Sequence, residues 1–307
     1  MLLAAVLAAA SALDESCRDE HESCASWASS GECEKNKGFM ELECAKSCAT
    51  CDVQRMAVDA RGQQNVPFAV PAGEVALTFQ RALDEFRDLQ PQLLANRTLP
   101  VLQLDAFASE FEVAALLRLG EDAGFESSEM QPGSTRQKQW RTSASAMCAT
   151  PLRTSAESAV LAALFERAAN LTRVPLANFE PSQVVRYHPG EYYNFHLDHF
   201  DELNSQPAGP RVYTLLIYLG DVDEGNGGET IFKYALQGAE AQKAAAAQGA
   251  PPPPMLRVTP RRGRALLWPN TDDADPSVRL YDAMHAGAPL RGGVKLAVNQ
   301  WIRQRPF

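Results

Sequence analysis

The sequence predicts an α+β chain dominated by β structure: a double-sheet jelly roll with supporting helices, carried behind a small disulfide-rich N-terminal module. Three observations lead there. Six of the seven cysteines crowd between Cys17 and Cys51. Amphipathic helical stretches come next. Short β-rich runs then alternate with Gly, Pro and Asp turns, and many strands after a few helices favour a layered β body buttressed by helices on one side.

The 307 residues leave room for one substantial domain and a small one. A hydrophobic content of 45% and a charged content of 22% are those of a globular protein. The formal charge of −9 argues against a nucleic-acid partner, because phosphate contacts need clustered Lys and Arg. No apolar run reaches the roughly 18 residues that a membrane helix needs. At the N-terminus, MLLAAVLAAASALDESC places an apolar run, Leu2 to Ala10, before the small-x-small triplet Ala10-Ser11-Ala12. Residues 1–12 therefore read as a secretory signal peptide cut after Ala12, with an apolar N-terminal helix as the alternative. If uncleaved, the same segment would tether the chain to the membrane of the secretory pathway.

The module 17–51 is too short to bury much core, so cross-links must stabilise it. Its six cysteines allow many pairings, and spacing alone selects none of them. Cys48-x-x-Cys51 has a zinc-like spacing, but a dense even set behind a signal peptide favours disulfides. Residues 52–97 read as a helical connector. In ALTFQRALDEFRDLQPQLL, Leu77, Ala82, Leu83, Phe86 and Leu89 recur at helical spacing up to Pro91.

The body spans 98–307. VLQLDAF is a strand, SEFEVAALLRLGEDAG a helix, and Thr154-Ser155-Ala156-Glu157 a capping box opening the helix AESAVLAALFERAAN. SQVVRY, RVYTLLIYL, ETIFKY, LRVTP, RALLWPN and KLAVNQWI follow as strands. One insertion, 236–254, is Ala/Gln-rich and then polyproline, and reads as a flexible surface loop with a polyproline II end. Asn96 and Asn170 head N-x-Thr sequons that a secretory protein could carry glycosylated. Cys148 reads as an unpaired buried thiol in a loop, and His188 as a turn residue.

The chemistry concentrates in YYNFHLDHF, Tyr192 to Phe200. Alternate residues of a strand share a face, so His196 and Asp198 converge while Leu197 and His199 point the other way. Phe195 and Phe200 read as core. His285, in MHAGAP, can complete the set from a neighbouring strand. Two imidazoles and a carboxylate leave three open positions, an arrangement suited to Fe(II) that must hold a co-substrate and O₂ together. Taken alone, HxD also fits a structural histidine beside an aspartate.

Longer stretches carry more. QVVRYHPGEYYNFHLDHF, RVYTLLIYLGDVDEGNGGETIF, RVTPRRGRALLWPN and MHAGAPLRGGVKLAVNQWIR, in this order, resemble the 2-oxoglutarate- and Fe(II)-dependent prolyl 4-hydroxylases, from about Leu99 to Phe307. The chain looks more like their single-chain plant and algal type than the animal collagen subunits. The resemblance implies a double-stranded β-helix whose iron ligands are His196, Asp198 and His285. It implies that Lys295, ten residues beyond His285, pairs with the distal carboxylate of 2-oxoglutarate, helped by Thr230. Tyr187 and Tyr218 would line that pocket. Arg141, Ser143, Tyr193 and Trp301, with Trp140 and Thr142, would lie along the peptide substrate. The implied activity is 4-hydroxylation of prolines in proline-rich or collagen-like polypeptides, with succinate and CO₂ released and L-ascorbate restoring oxidised iron, by a monomer in the endoplasmic reticulum lumen.

The cysteine frame C-x6-C-x8-C-x10-C-x3-C-x2-C, with Trp27-Ala28 and Gly31-Glu32-Cys33, resembles the ShK-toxin-like (ShKT) domain. That resemblance implies the pairs Cys17–Cys51, Cys24–Cys44 and Cys33–Cys48, in a module that binds a partner not identified by the sequence. Two other readings stay open: a 2-oxoglutarate oxygenase acting on another residue or a small molecule, and a non-catalytic secreted cysteine-rich binding protein.

Overall fold

The computed structural model describes residues 19, 21–36, 40, 43–51, 66–127, 141–148 and 156–307, the side chains of 156–159 excepted. The signal segment 1–12, Cys17, Trp140 and the pair Thr154-Ser155 lie outside them. The chain divides into two units, Met1–Val66 and Pro67–Phe307. The boundary expected at 97/98 therefore moves to 66/67, and residues 67–97 belong to the larger unit.

In the first unit, helices α1 (Cys24–Ser29) and α2 (Glu32–Lys35) are tied by Cys24–Cys44 and Cys33–Cys48. Cys51 is disulfide-bonded as well, and its expected partner Cys17 lies outside the described residues. With Cys48 committed to a bridge, the zinc reading of Cys48-x-x-Cys51 fails, since a disulfide sulfur is no longer a thiolate ligand. Among the described residues, Cys24, Met40 and Cys44 form its buried cluster. So small a core leaves the cross-links to hold the unit.

The larger unit begins with α3 (Val75–Glu85), which buries Val75, Thr78, Phe79 and Ala82 along one face. Its first turn is capped from a distance, Val75 N–H donating to Asp273 Oδ1 at 2.8 Å. Pro91 opens a strand rather than merely closing a helix. β1 (Pro91–Ala95) pairs antiparallel with β2 (Val101–Leu104), a hairpin partner that the helical periodicity concealed. Helix α4 (Glu110–Ala123) starts at a capping box between Ser109 and Glu112. The two-residue β3 (Glu126–Ser127) and β4 (Ala144–Cys148) follow, then α5 (Ala156–Thr172). Cys148 ends β4 rather than sitting in a loop, and it is buried and unpaired as expected.

The remaining strands are β5 (Ser182–Tyr187), β6 (Tyr193–His196), β7 (Arg211–Tyr218) and β8 (Thr230–Phe232). Helix α6 (Ala239–Ala247) intervenes before β9 (Leu256–Val258), β10 (Ala265–Pro269), β11 (His285–Gly287) and β12 (Lys295–Arg303). They form an eight-stranded sheet, β1-β2-β10-β7-β12-β5-β4-β3, and a four-stranded sheet, β6-β11-β8-β9. From β5 onward the chain passes back and forth between the two sheets, except that β8 and β9 follow one another in the small sheet, in the expected jelly-roll topology.

Two apolar layers hold this body together. Helices α3, α4 and α5 cover one face of the large sheet through Phe79, Leu116, Leu164, Phe165, Leu215 and Val298. Its other face packs Val185, Tyr187, Leu216, Tyr218 and Trp268 towards Phe232 of the small sheet. Within the helical layer Glu112 is almost fully buried. Its carboxylate accepts from Arg167 at 3.0 and 3.2 Å and from the Ser109 N–H at 2.8 Å, while Arg167 also donates to Phe107 O at 2.7 Å. Although burial opposes its charge, these donors hold its pKa below the usual range. Glu112→Ala removes the capping-box acceptor and strands a partly buried guanidinium. It should cost about 3 kcal/mol of unfolding free energy in a denaturant titration.

Candidate metal centre

The register between β6 and β11 sets His285 opposite His196. The next pair is Gly287 with Tyr193, so two steps along β11 answer three along β6. The extra residue is a β-bulge, which re-aims side chains that strict alternation would send to opposite faces. Tyr193 and His196, three apart, thus line one cavity, with their rings stacked at 3.6 Å between centroids. Phe195 packs on a separate cluster with Ile231, Ala286 and Ala288. Phe200 is 43% exposed beside Arg211, not core: the chain has left the sheet by that point. Leu197 packs against the layer between the sheets and not away from it, because the strand ends at His196 and alternation no longer applies.

Asp198 lies just beyond β6 and reaches both imidazoles. Its Oδ1 is 3.6 Å from His196 Nε2 and its Oδ2 is 3.5 Å from His285 Nε2. One ligand atom from each of the three residues lies within 4.8 Å of the others. The backbone fixes both tautomers. His196 Nδ1 faces Asn194 O at 2.7 Å and His285 Nδ1 faces Ala283 O at 2.9 Å. A carbonyl can only accept, so each Nδ1 carries the proton and each Nε2 is left free for a metal.

Asp198 is held from behind. Thr214 donates to its Oδ2 at 2.8 Å, and Asn270 donates to Thr214 at 2.8 Å. Arg211 donates to the Asp198 carbonyl at 3.2 Å while gripping Glu180 with two bonds of 2.6 and 2.7 Å. Burial alone would raise the Asp198 pKa, but His285, His196, Arg211 and the Thr214 hydroxyl hold it below the usual carboxylate range. Burial and the neighbouring His285 push His196 down to about 3, against the pull of Asp198. At neutral pH, then, His196 is neutral and Asp198 ionised, the states in which each ligates a metal. Two imidazole nitrogens and one carboxylate suit Fe(II) better than a closed structural zinc site.

Across the same cavity stands Lys295, paired in register with Tyr187 and 4% exposed. Burial pushes its ammonium down to about 8, with Glu229 pulling the other way. Thr230 lies on the cavity wall and receives a hydrogen bond from Tyr218 at 2.7 Å. Tyr218 itself is fully buried one layer behind, holding Thr230 instead of lining the pocket. Gly287 forms part of the wall, and a Cβ there would stand 3.7 Å from Tyr193 Cβ and 3.8 Å from Lys295 Nζ.

At the mouth, Arg141 bridges to Tyr193, lies over its ring at 4.7 Å and donates to Ser143 at 2.7 Å. Trp301 on β12 lies under the Arg211 guanidinium at 3.8 Å. His199 is buried, and neither ring nitrogen has a hydrogen-bond partner among the described residues. Burial pushes its pKa down to about 4, in keeping with a packing residue and not a ligand. His188 sits exposed in the turn after β5, its N–H donating to Glu191. Sequence reasoning missed Glu180, Arg211, Thr214, Trp268 and Asn270. Thr214 had a signal, the one aliphatic hydroxyl inside the apolar run RVYTLLIYL. Glu180 and Arg211 had none, because their pairing exists only across the fold.

Residues 182–303 match the 2OG-Fe(II) oxygenase superfamily model, and residues 16–51 match the ShK domain-like model. Probable prolyl 4-hydroxylase 10 of Arabidopsis thaliana is 34% identical over 151 residues, 46% of this chain and 48% of that protein. Prolyl 4-hydroxylase 5 of the same plant is 34% identical over 158 residues, 48% of this chain and 50% of that protein. The chain thus spans about half the length of the curated relatives it matches. Among solved structures, the viral collagen prolyl hydroxylase of Paramecium Bursaria Chlorella virus-1, as its 2OG complex, is 25% identical. That likeness covers 66% of this chain and 95% of that one, with a TM-score of 0.46.

The geometry separates the two histidines of HLDH. Calorimetric titration of the metal-free protein with Fe(II) or Co(II) should show His196→Ala weakening binding by more than about 100-fold, beyond the loss of an outer-shell partner. His199→Ala should bind close to the wild type. Equal losses in both would refute the assignment.

Proposed function

We propose that the protein is a 2-oxoglutarate- and Fe(II)-dependent prolyl 4-hydroxylase of the secretory pathway, acting on proline-rich or collagen-like polypeptides. The observation that carries this reading is one cavity holding a two-histidine, one-carboxylate set at one end and a buried ammonium at the other. 2-Oxoglutarate matches it chemically, since one end chelates a metal and the other is a carboxylate needing a buried cation. The prolyl 4-hydroxylase names of the relatives support the substrate class.

Bound iron would supply O₂ activation coupled to decarboxylation of 2-oxoglutarate to succinate and CO₂, chemistry that side chains lack. This chain's residues would do the rest. His196, Asp198 and His285 would hold the ion, and Lys295 with Thr230 and Tyr187 would anchor the distal carboxylate. The apolar walls around Trp268 and Leu216 would exclude water. Tyr193, Arg141 and Trp301 would orient an extended peptide so that a prolyl C4–H faces the metal. Ascorbate would restore iron oxidised in uncoupled turnovers. The disulfides Cys24–Cys44 and Cys33–Cys48 in the N-terminal unit support an oxidising compartment such as the endoplasmic reticulum lumen. Asn96 and Asn170, both exposed, would be available to glycosylation there. The ShK-like unit would engage a separate partner.

Purified protein supplied with Fe(II), 2-oxoglutarate, ascorbate and a proline-rich peptide should release succinate and add one oxygen per modified proline by mass spectrometry. Succinate without oxygen added to proline would redirect the substrate assignment, and no turnover with any peptide would sink the enzymatic reading.

The lysine gives a second test. The dianion binds protonated Lys295, which loses its proton from about pH 8 in the free protein. Affinity for 2-oxoglutarate should therefore be flat below pH 8 as far as this group is concerned. Above it the Kd should rise by about tenfold per pH unit. Lys295→Ala should raise the Kd by about 30-fold or more and abolish that dependence.

A further inference from the structure

The segment 236–254, expected to be a flexible loop, contains the nine-residue helix α6, which is anchored at its N-terminal end and exposed along most of its length. Its alanines favour helix, and specific contacts fix where that helix lies. Gly238 has φ +78°, and a Cβ there would lie 2.9 Å from Thr98 Cγ2 and 3.4 Å from Asp282 Oδ2. Glycine alone permits that backbone and that approach without strain. The next residue, Ala239, donates its N–H to Asp282 Oδ1 at 2.8 Å. That carboxylate satisfies an orphan donor and faces the positive end of the helix. Gln242 Nε2 donates to Lys233 O at 2.8 Å, and the Lys243 ammonium lies 5.5 Å from the Tyr281 ring. Tyr281 in turn stacks on Tyr234 with centroids 5.5 Å apart.

These contacts converge on the backbone that leads into His285. Tyr281 and Asp282 belong to the 3-10 turn Tyr281–Ala283, and Lys233 N–H donates to Met284 O at 2.9 Å. The last residue of the turn, Ala283, is 1% exposed and offers the carbonyl that accepts from His285 Nδ1. His196 needs no such support, because its acceptor, Asn194 O, lies within its own strand.

We propose that helix α6 is a positioning element for the third metal ligand. By fixing Asp282 and Lys233 it holds the Ala283 carbonyl where it orients the His285 ring and keeps Nε2 free. This rests on the reading of the site as a metal centre. The insertion is then part of the site's support and not a tolerated excursion, and Asp282 is the residue through which it acts.

The test uses the full chain, metal-free, titrated with Co(II) and followed by calorimetry and the visible absorption of the bound ion. Asp282→Ala should raise the Co(II) Kd by about tenfold, the low end of what losing an outer-shell partner costs, and shift the visible band. Asp282→Asn, which keeps a capping acceptor, should restore both. Gln242→Ala should weaken binding in the same direction by less. Glu112→Ala, destabilising but remote from the turn, should leave the Co(II) Kd unchanged, separating positioning from general loss of stability. Folded Asp282→Ala and Gln242→Ala proteins that bind Co(II) like the wild type would overturn the proposal and leave the metal reading standing. A wild type whose Co(II) uptake is indifferent to His285→Ala would overturn the metal reading and the proposal with it.

Discussion

One buried carboxylate sets the terms for the rest of the body. Asp198 is ionised between two imidazoles in a site from which water is largely removed, and an isolated charge there would be expensive. The fold meets that cost with a hydroxyl and a guanidinium from β7, the one donating to its carboxylate and the other to its carbonyl, while two imidazoles stand at its oxygens. Both donors stand on β7 of the large sheet, whereas the two rings come from the small sheet, so the surroundings of the carboxylate are complete only when both sheets are in place. The same need explains the second tier: Asn270 orients Thr214, and Glu180 accepts hydrogen bonds from both Arg211 and Arg303. An unpaired arginine so close to the site would otherwise be a buried charge of its own.

The jelly roll divides the labour. The small sheet carries His196, His285 and Thr230, while the large sheet carries Lys295 and Tyr187. The ammonium of Lys295 and the two imidazoles thus come from facing layers, and the cavity lies between them. Among the described residues, the helical layer behind the large sheet adds none to the His196, Asp198 and His285 set. Its work is to cover the second face of strands whose first face is already committed to the cavity.

Two irregular features lie where the chemistry is. The bulge in β6 brings Tyr193 and His196 to one side, and the helix of the insertion fastens the turn that aims His285. Regular strands would have placed the same residues on opposite faces or left the third ligand on an unsupported turn.

Much of this was legible in the chain itself. Strand-like runs, turn residues and the order of motifs announced the jelly roll, and two histidines with an aspartate, followed by a lysine ten positions beyond the last, announced the site. What the sequence conveys well is local periodicity and residue type, because these follow from backbone geometry and solvation over a few residues. It placed His196 beside Asp198 by alternation, although Asp198 actually lies past the strand end. β1 hid inside a helical pattern, and the Ala-rich insertion looked loose because nothing local reveals that Gly238 and Asp282 will touch. The register of β11 on β6, the pairing of Glu180 with Arg211 and the retreat of Tyr218 behind Thr230 belong to the tertiary structure. Residues dozens or hundreds of positions apart meet only after chain entropy has been overcome by burial, and a linear pattern holds no term for that meeting.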